Sequence, residues 1–154
     1  ALCSGNQTTS TNIDPAETDD EISEKQVGVV TYTGNSTNPH AISGLGFQPD
    51  MVWIRRRSGG SSYGNGIIDS SRGVNLGFYP DRTDANTDFS SDFSSFDSDG
   101  FTLKAGSSMN INNNGSPFVA WCWRANGGTT STNTDGTIAS TVQANTAAGF
   151  SIVS

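Results

Sequence analysis

Turn-forming residues punctuate this sequence so often that no apolar run exceeds six residues, the longest being Phe118-Val119-Ala120-Trp121-Cys122-Trp123. A transmembrane helix needs about 20 consecutive apolar residues, so none is expected and no membrane insertion is foreseen. Helix formers recurring every three or four positions are also missing. What remains is a series of short β-branched and aromatic stretches, each closed by Gly, Asn, Asp or Pro. Ser, Thr, Asn and Gly make up 71 of the 154 residues, which is the composition of strands joined by many turns. The expected fold is all-β, an antiparallel β-sandwich or jelly-roll-like module.

The strands can be placed one by one. Val27-Gly28-Val29-Val30-Thr31-Tyr32-Thr33 reads as a strand ended by Gly34-Asn35, and Ala41 to Phe47 as a Gly-broken extended stretch. Met51 to Arg57 is a second strand, with Val52 and Ile54 on one face and Met51, Trp53 and Arg55 on the other. Gly66 to Asp69 and Val74 to Tyr79 follow as shorter strands. Residues 81–95 are polar, with Phe89 and Phe93 as isolated anchors. Ser95 to Leu103 reads as a hairpin turning at Asp99-Gly100. Phe118 to Ala125 is the most apolar strand and is expected to be buried on both faces, with Val119, Trp121 and Trp123 in the core. The expected core also takes in Val29, Tyr32, Leu45, Phe47, Val52, Trp53, Ile54, Ile67, Phe96, Phe101 and Leu103.

Charge divides the chain. The net charge is −7, yet residues 1–26 hold six carboxylates against Lys25, a net of −5, which leaves −2 for the rest. This segment has too few apolar residues to offset its ordering entropy and reads as a flexible acidic arm, apart from a helical turn capped by Asp14, Pro15 and Glu17. The sandwich is then expected over 27–125, with linker and terminal strands over 126–154: a Gly/Thr/Asn linker over 126–136 and a short strand from Thr137 to Ala144. Residues Gly149 to Ser154 echo the Gly-then-alternating form of Gly28 to Tyr32, as the start of a second repeat would. Phe150, Ile152 and Val153 form an extended C-terminal strand, which must pair with a strand of its own body or with the edge of a neighbouring copy; the neighbour is favoured, which would make it an assembly strand.

Little in the sequence speaks for chemistry. His40 is the only histidine, it sits in a turn, and no nucleophile-elbow motif accompanies it. Cys3 and Cys122 read as unpaired thiols, and two cysteines 119 positions apart make no zinc site. Asp97-Ser98-Asp99-Gly100 opens like a calcium loop but has Ser108 where an EF-hand needs Glu, so it reads as a turn. The chain has no Glu from residue 27 onward, and no carboxylate pair suited to glycoside cleavage. No metal and no cofactor is expected. A net negative charge with two lysines argues against nucleic acid as a partner. Arg55-Arg56-Arg57 fits either an anion or acidic-glycan contact, or strand-end arginines pairing with aspartates or stacking on Trp. Alternation, which sends the three side chains to different faces, favours the second.

Five strings in a fixed order carry a resemblance. They are Val30-Thr31-Tyr32-Thr33-Gly34-Asn35, Gly44-Leu45-Gly46-Phe47-Gln48-Pro49-Asp50-Met51-Val52-Trp53-Ile54, Ile68-Asp69-Ser70-Ser71-Arg72-Gly73, Ser95 to Leu103, and Phe118-Val119-Ala120-Trp121-Cys122-Trp123. Together they resemble a repeated module of virion-surface and tail-fibre-like proteins of tailed bacteriophages, marine phages especially. Ala148 to Ser154 is similar to the start of that family's next module. Ala1-Leu2-Cys3 is similar to the exit from a preceding SPRY-like lectin domain.

The resemblance implies a non-enzymatic virion structural protein, a tail fibre or capsid-surface decoration located on the particle surface. Its partners would be copies of itself and other virion proteins. The alternative is a carbohydrate-binding adhesin for host-surface glycans, with Tyr63, Tyr79 and Asn112, Asn113 and Asn114 as candidate contacts. A depolymerase ranks last for want of its carboxylate pair.

Overall fold

The computed structural model describes residues 25–59 and 65–154. Short strands occur wherever β-branched and aromatic residues gather: β1 (Val27–Thr33), β2 (His40–Ser43), β3 (Met51–Arg56), β4 (Asn65–Asp69), β5 (Leu76–Phe78), β6 (Thr87–Asp88), β7 (Phe93–Asp97), β8 (Gly100–Leu103), β9 (Pro117–Trp123), β10 (Ser131–Asn133), β11 (Ser140–Asn145) and β12 (Phe150–Val153). Every pairing among them is antiparallel. The described residues contain no α-helix, and no helix long and apolar enough to cross a membrane.

The chain is an all-β antiparallel sandwich. A six-stranded sheet, ordered β1-β9-β3-β4-β5-β6, faces a three-stranded sheet, ordered β2-β8-β7. The chain crosses between them after β1, β2, β6 and β8. A third sheet, β10-β11-β12, carries the last segment. The core lies between the first two sheets. Val52, Ile54, Ile68, Phe118, Ala120 and Cys122 come from the large sheet, and Ile42, Phe93, Phe101 and Leu103 from the small one. Loop residues Leu45, Phe47, Tyr79, Phe89, Met109 and Ile111 close its ends. Phe89 and Phe93 are therefore not isolated anchors. Both are fully buried, and Phe93 stacks on Phe101 with ring centres 5.9 Å apart.

The structure fully buries only one of the two faces of β9 that the sequence places in the core. Phe118, Ala120 and Cys122 are completely buried, whereas Val119, Trp121 and Trp123 are half-buried on the opposite face. Both faces of this strand are apolar, so alternation gives no contrast to orient it. Ala120 and Cys122 are small enough to let the small sheet approach, and the two bulky indoles take the outer face. Trp53, beside Trp121 on that outer face, donates from Nε1 to Asn65 Oδ1 at 3.0 Å. Val29 follows the same geometry and is 58% exposed.

The turns form as their residues require. Gly100 closes the β7–β8 hairpin at φ +157°, and a Cβ there would lie 1.9 Å from the Ile42 carbonyl oxygen. Gly149, at φ +65°, reverses the chain between β11 and β12. This turn brings about the first of the two expected pairings of the C-terminal strand, that with its own body. β12 pairs with β11 of its own chain, Phe150 opposite Asn145 and Ile152 opposite Gln143, because the partner strand precedes it. Ile152 is buried, Phe150 stacks on Trp123, and Val153 is 53% exposed. The expected linker over 126–136 also contains β10, an edge strand exposed along its length. Gln26 belongs to the folded body: it is buried and accepts a hydrogen bond from Asn145 Nδ2. The remainder of the expected arm, residues 1–24, lies outside the described residues.

The facing of β9 sets an order of destabilisation. Phe118→Ala should cost about 3–5 kcal/mol in chemical denaturation, and Trp121→Ala distinctly less, since that side chain is only partly buried on the outer face. The reverse order would show that the facing of β9 is misassigned.

Candidate functional site

Buried polar side chains are the first place to look for chemistry, and here they hold loops. Asp50, at the entry to β3, is fully buried. Its carboxylate accepts from Ala125 N at 2.7 Å, Gly127 N and Gly128 N at 3.0 Å, and Ser70 Oγ at 2.7 Å. Four donors occupy the roughly four acceptor positions that a carboxylate offers. Asp50 has none left for a substrate proton or an ion. Gln143, also fully buried, accepts from Asn126 N and Gly128 N through Oε1 and donates from Nε2 to Ser70 Oγ and Ser71 Oγ. The third sheet is thereby latched to the sandwich.

The same device recurs twice. Asp92, fully buried before β7, accepts from Met109 N, Ser108 N and Ser91 Oγ. Asn112 accepts from Asn35 N and meets His40 Nδ1 at 2.7 Å, while its Nδ2 donates to the Thr37 and Lys104 carbonyls. The aspartates of the calcium-like turn are engaged too. Asp97 accepts from Ser95 and Thr102 hydroxyls, and Asp99 from the main-chain N–H groups of Gly46 and Gly44. Those main-chain bonds hold the Asp99 carboxyl below its ordinary range. Among the described residues no group of three His, Cys, Asp or Glu side chains is placed to hold a metal ion.

These contacts change the reading of several candidate residues. Asn112 is 2% exposed and cannot meet a glycan, because all of its hydrogen-bonding capacity is turned inward; Asn113 and Asn114 beside it are exposed. Tyr79 is buried as well. Its hydroxyl donates to the Ser108 carbonyl at 2.6 Å, its ring meets Phe89 edge-on, and Arg82 lies 4.1 Å above it. His40 is not a surface histidine but a half-buried partner of Asn112 and of the Tyr32 ring. Tyr63 lies outside the described residues. Arg55 and Arg57 are exposed on one side of β3 and just beyond it, while Arg56 points to the inner side with its Nε buried and no partner among the described residues. The three arginines therefore form no common patch.

Three surface features remain. A polar cleft of about 540 Å³ is lined by Lys25, Gln48, Asp50, Ser98, Arg124 and Asn126. A second groove of about 430 Å³ runs from it along Val27, Gly28 and Val29, opposite Gly44, Leu45 and Gly46. The outer face of the large sheet carries a row of register neighbours, Val29, Trp121, Trp53, Ile67 and Phe78. Trp53 and Trp121 touch there, with ring centres 5.3 Å apart and tilted by 46°. Sequence reading assigned those tryptophans to the core and so missed this surface.

A family model described as a domain of unknown function, DUF7483, matches residues 23–154. The chain belongs to that family. The match takes in the sandwich and the third sheet together, so the DUF7483 domain includes the segment that Gln143 latches down. No curated protein and no solved structure matches the chain.

Two groups inside the domain respond to burial. The Cys122 thiol is pushed up to about 12 by desolvation, and the Tyr32 phenol is raised well above its ordinary value by burial and then by Cys122. Tyr32 donates its hydroxyl proton to the Ile111 carbonyl at 2.7 Å. Both shifts are upward. Each group therefore contributes stability that is complete below its unfolded pKa, about 8.5 for Cys and about 10 for Tyr, and is lost as pH rises beyond it. The melting temperature should hold steady to about pH 8 and fall at higher pH, with Cys122→Ala removing the earlier part of the fall; a curve flat to the alkaline limit would contradict this. Asp50→Asn should strand at least one main-chain donor and cost about 1–3 kcal/mol. Gln143→Ala should speed amide exchange in β11 and β12 while leaving β3 and β9 protected.

Proposed function

We infer that this DUF7483 domain is a non-enzymatic structural module that assembles with copies of itself. Following the resemblance drawn from its sequence, its setting is the virion surface of a tailed bacteriophage, as part of a tail fibre or a capsid decoration. The observation that carries the assembly reading is the outer face of the six-stranded sheet. Its row from Val29 through Trp121, Trp53 and Ile67 to Phe78 is apolar, uncharged and part-exposed, and contiguous apolar surface of this kind marks contact with another macromolecule. Supporting it, Asp50, Asp92 and Asn112 are spent on main-chain hydrogen bonds, which suits a rigid building block better than a reactive site.

A second reading rests on the same residues. The neighbouring Trp53 and Trp121 rings offer apolar faces on which the C–H groups of a sugar ring would stack, as in an adhesin for host-surface glycans. Two measurements separate the readings. Sedimentation velocity of the full chain should show concentration-dependent association, and a glycan array should show no binding. Glycan binding that Trp53→Ala abolishes, by a chain that stays monomeric, would replace the assembly reading with the adhesin one. Antibody-labelled electron microscopy of phage particles tests the setting: label on the particle surface is expected, and unlabelled particles would overturn it.

A further inference from the structure

β1 is an edge strand of the large sheet, and its hydrogen-bonding pattern fixes what that edge presents. Arg124 N donates to the Gln26 carbonyl and Gly34 N to the Ser116 carbonyl, and both belong to one antiparallel register with β9. In an antiparallel ladder alternate residues point their main-chain groups to opposite sides. Gly28, Val30 and Tyr32 therefore turn their N–H and C=O groups toward β9. Val27, Val29, Thr31 and Thr33 turn theirs outward, and the structure gives those groups no partner among the described residues.

Natural sheet edges are usually guarded by a charge, a proline, a bulge or a covering loop. Residues 27–33 contain no charge and no proline, and their register with β9 is unbroken over all seven residues. Beside Val27 and Val29 lies the groove of about 430 Å³, which separates this stretch of the edge from the Gly44–Gly46 loop. Val27 and Val29 are 46% and 58% exposed, and they end the apolar outer face at this edge.

We propose that the free edge of β1 is a self-association interface, pairing antiparallel with β1 of a second copy about a two-fold axis beside Val30. The proposal rests on the assembly reading above and names its interface. A second copy is the fitting occupant because the edge is self-complementary. With Val30 on the axis, Val29 faces Thr31 of the other copy and Val27 faces its Thr33, so the four outward-pointing residues on each side meet their own kind. The uncharged strand sets no like charges opposite one another, although the chain as a whole carries −7. Pairing extends the large sheet through both copies and shields the exposed valines at the seam.

Amide hydrogen exchange on the full chain, over a concentration series monitored by sedimentation velocity, tests the register. The amides of Val27, Val29, Thr31 and Thr33 should slow as dimer forms, while those of Gly28, Val30 and Tyr32 stay slow throughout. Val29→Lys/Thr31→Lys sets lysines opposite one another twice and should weaken the dimer roughly tenfold or more. Val29→Glu/Thr31→Glu should do the same, and mixing the two variants should restore a heterodimer. Circular dichroism confirms that each variant folds, and the wild-type exchange pattern decides if one does not.

Several outcomes would overturn the proposal. Fast exchange of the outward amides at every concentration shows an edge that stays open. Slow exchange in the monomer, released by deleting residues 1–22, shows that the chain's own N-terminal segment covers it. A dimer insensitive to both double variants places the interface elsewhere and leaves the assembly reading standing. A monomer at every concentration removes both.

Discussion

The structure depends on side-chain oxygens that accept the main-chain N–H groups of loops. A fold built from strands of two to seven residues has more turn and loop than strand among its described residues, and its loop donors must be satisfied where water is excluded. Asp50 gathers three main-chain donors at the end of β9, Asp92 gathers two before β9, and Asn112 ties the β1–β2 loop to the β8–β9 loop. Gln143 carries the same device into the third sheet. Beside it, β10–β12 hold to the sandwich through Asn145, which donates to Gln26 and to the Arg124 carbonyl, and through the stacking of Phe150 on Trp123. The abundance of Asn, Asp and Ser thus has a structural role before it has any other.

Spending polar groups inside leaves the outside unusual. The outer face of the six-stranded sheet carries Trp53, Trp121, Ile67 and Phe78, with Arg55 beside Trp53 and Arg72 over the Phe78 ring, and it runs to a β1 edge that no described residue pairs with. Such a module is poor in chemistry and rich in surface for contact. Acidity is concentrated in residues 1–26, so the sandwich itself is close to neutral and copies can approach without strong mutual repulsion.

Local pattern made the all-β class, the boundaries of β1 and β3, and the β7–β8 hairpin readable from sequence, because β-branched runs and Gly-containing turns act over a few residues. The facing of β9 was not readable, since Val119, Trp121 and Trp123 are as apolar as Phe118, Ala120 and Cys122. Burial of Tyr79 and Asn112 was equally hidden, because their partners, Ser108 in one case and Asn35 and Thr37 in the other, lie 29 to 77 positions away. β11 was readable as the strand Thr137 to Ala144, but its pairing with β12 was not, because its buried member is a glutamine and a polar strand gives no signal of which neighbour it lies against.

Cys122 sits at the centre of this construction, unpaired and sealed between two sheets. With its thiol pushed up to about 12, almost none of it is thiolate near neutral pH, and an oxidant must first open the sandwich to reach it. The residue therefore packs like a small hydrophobe under reducing and oxidising conditions alike. As far as Cys122 is concerned, the fold is indifferent to redox poise, and passage from a reducing interior to an oxidising exterior would leave its core unchanged.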